Sequence, residues 1–240
     1  MGAITGIEWC SHTFNPWVGC TKVSPACDNC YAEGWAKRTG QPHLWSGQRR
    51  LTTTDYWKQP LKWNRAAAKA GVRRRVFCAS LADVFDNQAE ETWREGLWGL
   101  IQQTQALDWL LLTKRPQNIR KMLPANWGDG WHNVWLGTTA EDAFHYRQRY
   151  GHLQQVPAQL HFISYEPALG DLGSVALDGY TPDWIICGGE SGGPKSRPMD
   201  MEWARDVRDQ CAERHIPFFM KQVRNKGEIP PDLQVREFPQ

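Results

Sequence analysis

The sequence has no apolar run approaching the roughly 20 residues needed to cross a bilayer. Its first residues also lack the charged and apolar regions of a secretory signal. Gly2 is not followed by Ser or Thr at position 6, so the usual myristoylation pattern is excluded. Neither sign of charge dominates: Lys+Arg 28 stand against Asp+Glu 26, a formal +2, so bulk charge does not hold this protein to nucleic acid, although a local basic patch is compatible with it. Low-complexity segments, long linkers and internal repeats are missing too. These absences predict a cytoplasmic protein folded as one domain over 1–240. That length is ordinary for an α/β barrel.

What is present begins with short apolar runs that end in small or polar residues: 75-RVFCAS-80, 108-DWLLLTKR-115, 133-NVWLGTT-139, 160-LHFISYEP-167, 183-DWIICGGES-191 and 217-PFFMKQ-222. Near-continuous apolar runs of this length suit strands covered on both faces. The segment 13-TFNPWVGC-20 adds a first strand that Pro16 weakens. Helical spacing lies between several runs. Trp93, Leu97, Leu100 and Ile101 share one face within 87–103, behind a cap at Asp86 or Asn87. Trp203, Val207 and Cys211 form a similar stripe behind Asp200, whereas 165–183 shows no helix. Six or seven strands alternating with helices predict an incomplete parallel (β/α) barrel. In such folds the site lies beyond the C-terminal strand ends.

Seven cysteines is an odd number, and a reducing compartment makes a disulfide framework unsuitable, so clustered thiols point to metal or catalysis. Cys20, Cys27 and Cys30 fall within eleven residues, spaced C-x6-C-x2-C. A closed structural zinc or an ordinary iron–sulfur cluster wants four ligands; three leave one position open. Cys10, His12 or His43 as a fourth ligand would make a closed zinc site, and a zinc-stabilised nucleic-acid-binding module is the alternative reading. Cys78, Cys187 and Cys211 lie in apolar surroundings and read as packing thiols.

Three cysteines following the first strand of a partial parallel barrel resemble the radical S-adenosylmethionine (SAM) superfamily. There, three cysteines hold three irons of a [4Fe–4S] cluster and SAM chelates the fourth. The terminal C-x2-C matches, while the first gap is wider than the superfamily's usual three residues, and Asn29 stands where an aromatic is favoured. A closer similarity is to a phage- and prophage-associated three-cysteine-motif family. It is carried by 7-IEW-9, 24-SPACDNCYAE-33, 80-SLADVF-85, 113-TKRP-116, 135-WLGTTAE-141, 165-YEP-167, 184-WIICGGESG-192, 197-RPMD-200 and 218-FFMKQ-222. Ala26 departs from the family's usual glycine, and Cys10 from its usual hydroxyl residue.

The resemblance implies Cys20, Cys27 and Cys30 as cluster ligands and SAM as cofactor. Ser80 and Asp83, after the second strand, are expected at SAM's amino group or ribose; helix capping is their structural alternative. Lys114 and Arg115 are expected at its carboxylate, with a surface ion pair as the alternative. Thr138, Glu141 and Glu166 complete the expected cofactor set. The run 188-GGESGGPKSRP-198 brings glycines together with Glu190 and Arg197; with Lys221 these are expected to meet substrate, a tight turn being the structural alternative. The implied substrate is a modified nucleotide or DNA base, with isomerisation of an amino-acid-decorated thymine as one such reaction, and the implied partner is an electron-donor protein; a SAM-binding module without radical chemistry is the other alternative beside the zinc-stabilised one.

Overall fold

The structure, a computed structural model, describes residues 5–191 and 193–240. Gly2 and Gly192, both used above, lie outside them. β1 (His12–Phe14) is followed by β2 (Trp17–Val18) and β3 (Arg50–Leu51), which pair antiparallel with each other. Then come β4 (Arg74–Cys78), β5 (Leu107–Thr113), β6 (Val134–Thr139), β7 (Leu160–Tyr165), β8 (Trp184–Gly188) and β9 (Phe218–Gln222). Seven of these form one parallel sheet in the order β1-β4-β5-β6-β7-β8-β9. β9 does not return to pair with β1, so the barrel is incomplete, as the run count implied. The run at 13–20 splits at Pro16, where the missing N–H ends the first strand.

The helices are α1 (Tyr31–Arg38), α2 (Thr54–Trp57), α3 (Gln59–Ala70), α4 (Glu91–Gln102), α5 (Ile119–Met122), α6 (Ala143–Leu153) and α7 (Met201–Glu213). α7 is capped as expected, with the Asp200 carboxylate accepting from the Glu202 N–H at 3.0 Å. α4 starts later than its pattern suggested, behind Glu90, because the Asp86 carboxylate is instead taken by Arg49 Nε at 2.7 Å. Asp142 caps α6, accepting from His145 N–H at 2.9 Å. No helix among the described residues is long and apolar enough to cross a membrane.

Side chains alternate across the sheet. Val76, Leu111, Leu136, Ile163, Ile185 and Phe218 pack outward, in the core shared with the helices. Phe77, Leu110, Trp135, Phe162, Trp184 and Phe219 pack inward with Trp9 in a second cluster. Trp9 stands 4.6 Å from Phe77 and edge-on to Trp184 at 6.3 Å between ring centres. Gly137 is on this inner face, where a Cβ would sit 2.3 Å from the Phe162 ring; only glycine lets that ring cross the barrel. The result is an aromatic floor closing the lower half of the sheet.

Candidate cofactor site at the mouth of the sheet

A cavity of about 750 Å³ opens above this floor, with Trp9 and Phe77 at its base. The inward registers that carry aromatics lower down carry polar groups higher up: Lys114 just beyond β5, Thr139 on β6, Ser164 on β7 and Glu166 just beyond it, Glu190 beyond β8, and Lys221 on β9. All six line the cavity, as do Cys20, Cys27, Cys30, Ser80, Asp83 and Arg115.

The cysteine segment is threaded into place by backbone bonds. Gly19 N–H donates to Leu81 O at 3.0 Å, and Cys20 N–H to Leu44 O at 3.1 Å. Gly19 has φ +122°, and a Cβ there would lie 2.7 Å from the Leu44 and Gln48 carbonyls, so this approach requires glycine. A short 3-10 turn at Pro25–Cys27 and the start of α1 then place Cys27 and Cys30 on the same wall as Cys20. Burial pushes the Cys20 thiol up to about 11, with Asp83 adding to the rise and Arg115 opposing it.

None of the candidate fourth ligands is on this wall. Cys10, His12 and His43 are absent from the lining. The Cys10 thiol points at Ile7 O, 3.6 Å away, and burial raises it to about 11; the His12 ring stacks on Trp63 at 4.3 Å. Among the described residues no three His, Cys, Asp or Glu side chains converge on the point a single ion would occupy. A [4Fe–4S] cluster does not ask for convergence, since each thiolate takes a different iron. Three thiols on one cavity wall, with open volume beside them, fit that group and leave its fourth iron for another ligand.

Behind the cysteines lies a buried polar network. Asp83 Oδ1 accepts from Phe85 N–H at 2.9 Å and from the Thr113 hydroxyl at 2.7 Å. Its Oδ2 accepts from Lys114 N–H at 3.2 Å and from Arg115 Nη1 at 2.9 Å. Arg115 also donates from Nη2 to Thr21 O at 2.9 Å and from Nη1 toward Cys20 Sγ at 3.6 Å. Burial works against its charge, yet Asp83, Cys20 and Asp86 hold the guanidinium above its ordinary range. The Lys114 ammonium forms no ion pair among the described residues; its partner is the Thr139 hydroxyl at 3.3 Å. Ser80 exchanges hydrogen bonds with the Asn15 side chain, and its carbonyl accepts from the Tyr31 hydroxyl at 2.8 Å.

Across the cavity, Lys221 pairs with Glu166. Glu190 is tied to the cysteine segment. Its Oε2 accepts from Asn29 Nδ2 at 2.9 Å and from Arg197 N–H at 2.7 Å, and Arg197 Nη2 reaches Oε1. Arg197 continues to Pro25 O at 2.8 Å and to Asp28 Oδ2 at 3.4 Å. Burial would raise the Glu190 carboxyl, but Arg197 and Asn29 overcome it and hold the group below the usual carboxylate range.

Three residues expected at the site are held off the cavity wall. The Thr138 side chain faces the helices and donates to Thr113 O at 2.8 Å. Glu141 is fully buried, with Oε2 2.7 Å from Arg149 Nη1 and Oε1 3.4 Å from His145 Nε2. Arg197 faces the cysteine loop. Conversely Thr139, Ser164 and Asn29 are in or against the cavity; the two strand residues were recoverable from period 2, since they share registers with Trp135 and Phe162.

Residues 4–233 match the model of the family described as Protein of unknown function (DUF5131). No curated protein sequence matches the chain. Among solved structures, it is similar to spore photoproduct lyase complexed with dinucleoside spore photoproduct. That likeness has a TM-score of 0.52 at 11% identity over 87% of this chain and 74% of that one. A double mutant of the lyase with bound AdoMet and dinucleoside spore photoproduct gives 0.52 at 12% identity over 91% and 77%. The shared feature at these identities is the fold, the incomplete parallel barrel.

Proposed function

The chain belongs to the DUF5131 family, and we propose that this member is a radical SAM enzyme acting on a modified nucleotide or DNA base. The carrying observation is three thiols, with none of the candidate fourth ligands beside them among the described residues, lining a cavity that also presents the Lys114 ammonium, bonded to the Thr139 hydroxyl and in no ion pair among those residues. Cys20, Cys27 and Cys30 would hold the cluster. When bound, cluster and SAM supply one-electron cleavage of the sulfonium, yielding a 5′-deoxyadenosyl radical that takes a hydrogen atom from substrate.

The protein's own groups bind and shield. Lys114 faces the cavity and would hold the SAM carboxylate; Arg115, already bonded to Asp83 and Thr21, would not. Thr139, Ser164, the Ser80 backbone and the Glu166–Lys221 pair offer acceptors and donors to the amino and ribose hydroxyl groups and to substrate. The aromatic floor keeps water from below. Lys226 lines the cavity as well and suits a substrate phosphate, whereas Arg236, also on the lining, is already paired with Glu8. The lyase of similar fold, complexed with a dinucleoside, supports a nucleotide-sized ligand. Return of the hydrogen atom at a new position would make the reaction an isomerisation, such as that of an amino-acid-decorated thymine in phage DNA, with electrons drawn from a donor protein.

Anaerobic reconstitution tests this. The expected product is a brown protein with about four irons and matching sulfide, releasing 5′-deoxyadenosine with SAM and dithionite. Stoichiometric zinc without sulfide would reject it in favour of the zinc-binding alternative.

A further inference from the structure

Resting on the iron–sulfur reading above, we infer that Arg115 is a positioning residue for the cluster: its buried guanidinium donates a hydrogen bond to the Cys20 thiolate and tunes the cluster's reduction potential. The observation is an asymmetry among the three cysteines. Arg115 Nη1 lies 3.6 Å from Cys20 Sγ, within reach of a hydrogen bond to sulfur. Among the described residues, no side chain donates to the sulfur of Cys27 or Cys30. The donor is also unusually well fixed. Arg115 is buried, and its fork is held by Asp83 at 2.9 Å and Thr21 O at 2.9 Å, with Asp86 4.0 Å from Nε. A second arginine, Arg49, pairs with Asp86 and reaches the Thr21 hydroxyl at 2.9 Å, bracing the same two-residue stretch.

Two buried arginine–aspartate pairs are a poor way to stabilise a fold, because desolvation offsets most of the attraction. They do fix charge at one place. A cation and donor at a ligand sulfur withdraws electron density, which favours the reduced, more negative cluster. Asp83, bonded to the same guanidinium nitrogen, opposes that effect. The two residues therefore act with opposite sign, and their substitutions move the potential in opposite directions.

EPR-monitored redox titration of the reconstituted holoprotein reads this, each step adding one electron from the reductant to the cluster. R115Q is expected to shift the midpoint negative, D83N positive, and R115K to fall between R115Q and wild type. A residue that merely supports the loop would lower iron content and leave the midpoint where it was. Unchanged midpoints in R115Q and D83N at full iron loading overturn the inference. Should R115Q hold no cluster, wild-type protein grown with [15N]arginine answers instead: a nitrogen coupling to the reduced cluster in pulsed EPR supports the bond, and its absence overturns it. A wild-type protein that takes up no iron and sulfide sinks the parent reading, and this inference with it.

Discussion

Replacing Arg197 by alanine is expected to loosen the cysteine segment before it touches substrate. The side chain reaches from Glu190 to the Asp28 carboxylate, 169 residues before Arg197 in the chain, and also holds Pro25 O at 2.8 Å. Its removal leaves Glu190, 5% exposed, with Asn29 and one backbone N–H as its remaining donors. Hydrogen bonds to charged groups are worth roughly 1.5–3 kcal/mol each. The Arg197 side chain is 32% exposed, so water replaces part of what is lost. A net loss of about 2 kcal/mol follows after that screening. It corresponds to a roughly thirtyfold fall in the population of the ordered loop. The assay is iron per chain after anaerobic reconstitution, together with the rate of iron loss to a chelator. R197A should load less iron and release it faster, and R197K should recover part of the difference. Wild-type iron content and chelator resistance in R197A, with turnover of substrate abolished, would refute the clamp and return Arg197 to the substrate.

Gly137→Ala should destabilise the protein by about 1–3 kcal/mol through overpacking against Phe162; an unchanged melting temperature would show that the floor can yield. Lys114→Met should weaken SAM binding to the reconstituted protein by about 1–3 kcal/mol, measured by equilibrium dialysis, whereas equal affinity would place the carboxylate elsewhere. Because the Glu190 carboxyl is held below its ordinary value, its contribution to stability is complete above the unfolded carboxyl range near ~4.3. That contribution is lost as pH falls through the lower folded value. Thermal melts of wild type should therefore drop more steeply with acid than those of E190Q, and parallel curves would contradict the assignment.

Strand placement was legible because each parallel strand is an apolar run with a polar end, and the cysteine spacing is local. Which polar end-residues face inward was also written in the chain, but needed the period-2 register: Thr139 shares a face with Trp135, and Thr138 does not. Pairing between distant residues was not legible. Asp83 and Arg115 look like free ligand-binding groups until the sheet sets β4 beside β5 and brings them within 2.9 Å of each other. Arg197 likewise follows a glycine-rich run that suggests a ligand, and its partners prove to be Glu190 and a loop near the start of the chain. The α4 cap was misplaced for the same reason, since Arg49, 37 residues upstream, takes Asp86.

The aromatic floor also bears on traffic. A chamber sealed below by Trp9 and Phe77, beneath a layer of packed rings, has its doorway among the loops above. Whatever docks against the cysteines arrives first and leaves last, since the second visitor stands in its way. With the proposed cofactor on the cysteines, such a vessel would impose a queue: cofactor before substrate, product before spent cofactor. The order of addition would then be a property of the architecture, written in the rings that close its far end.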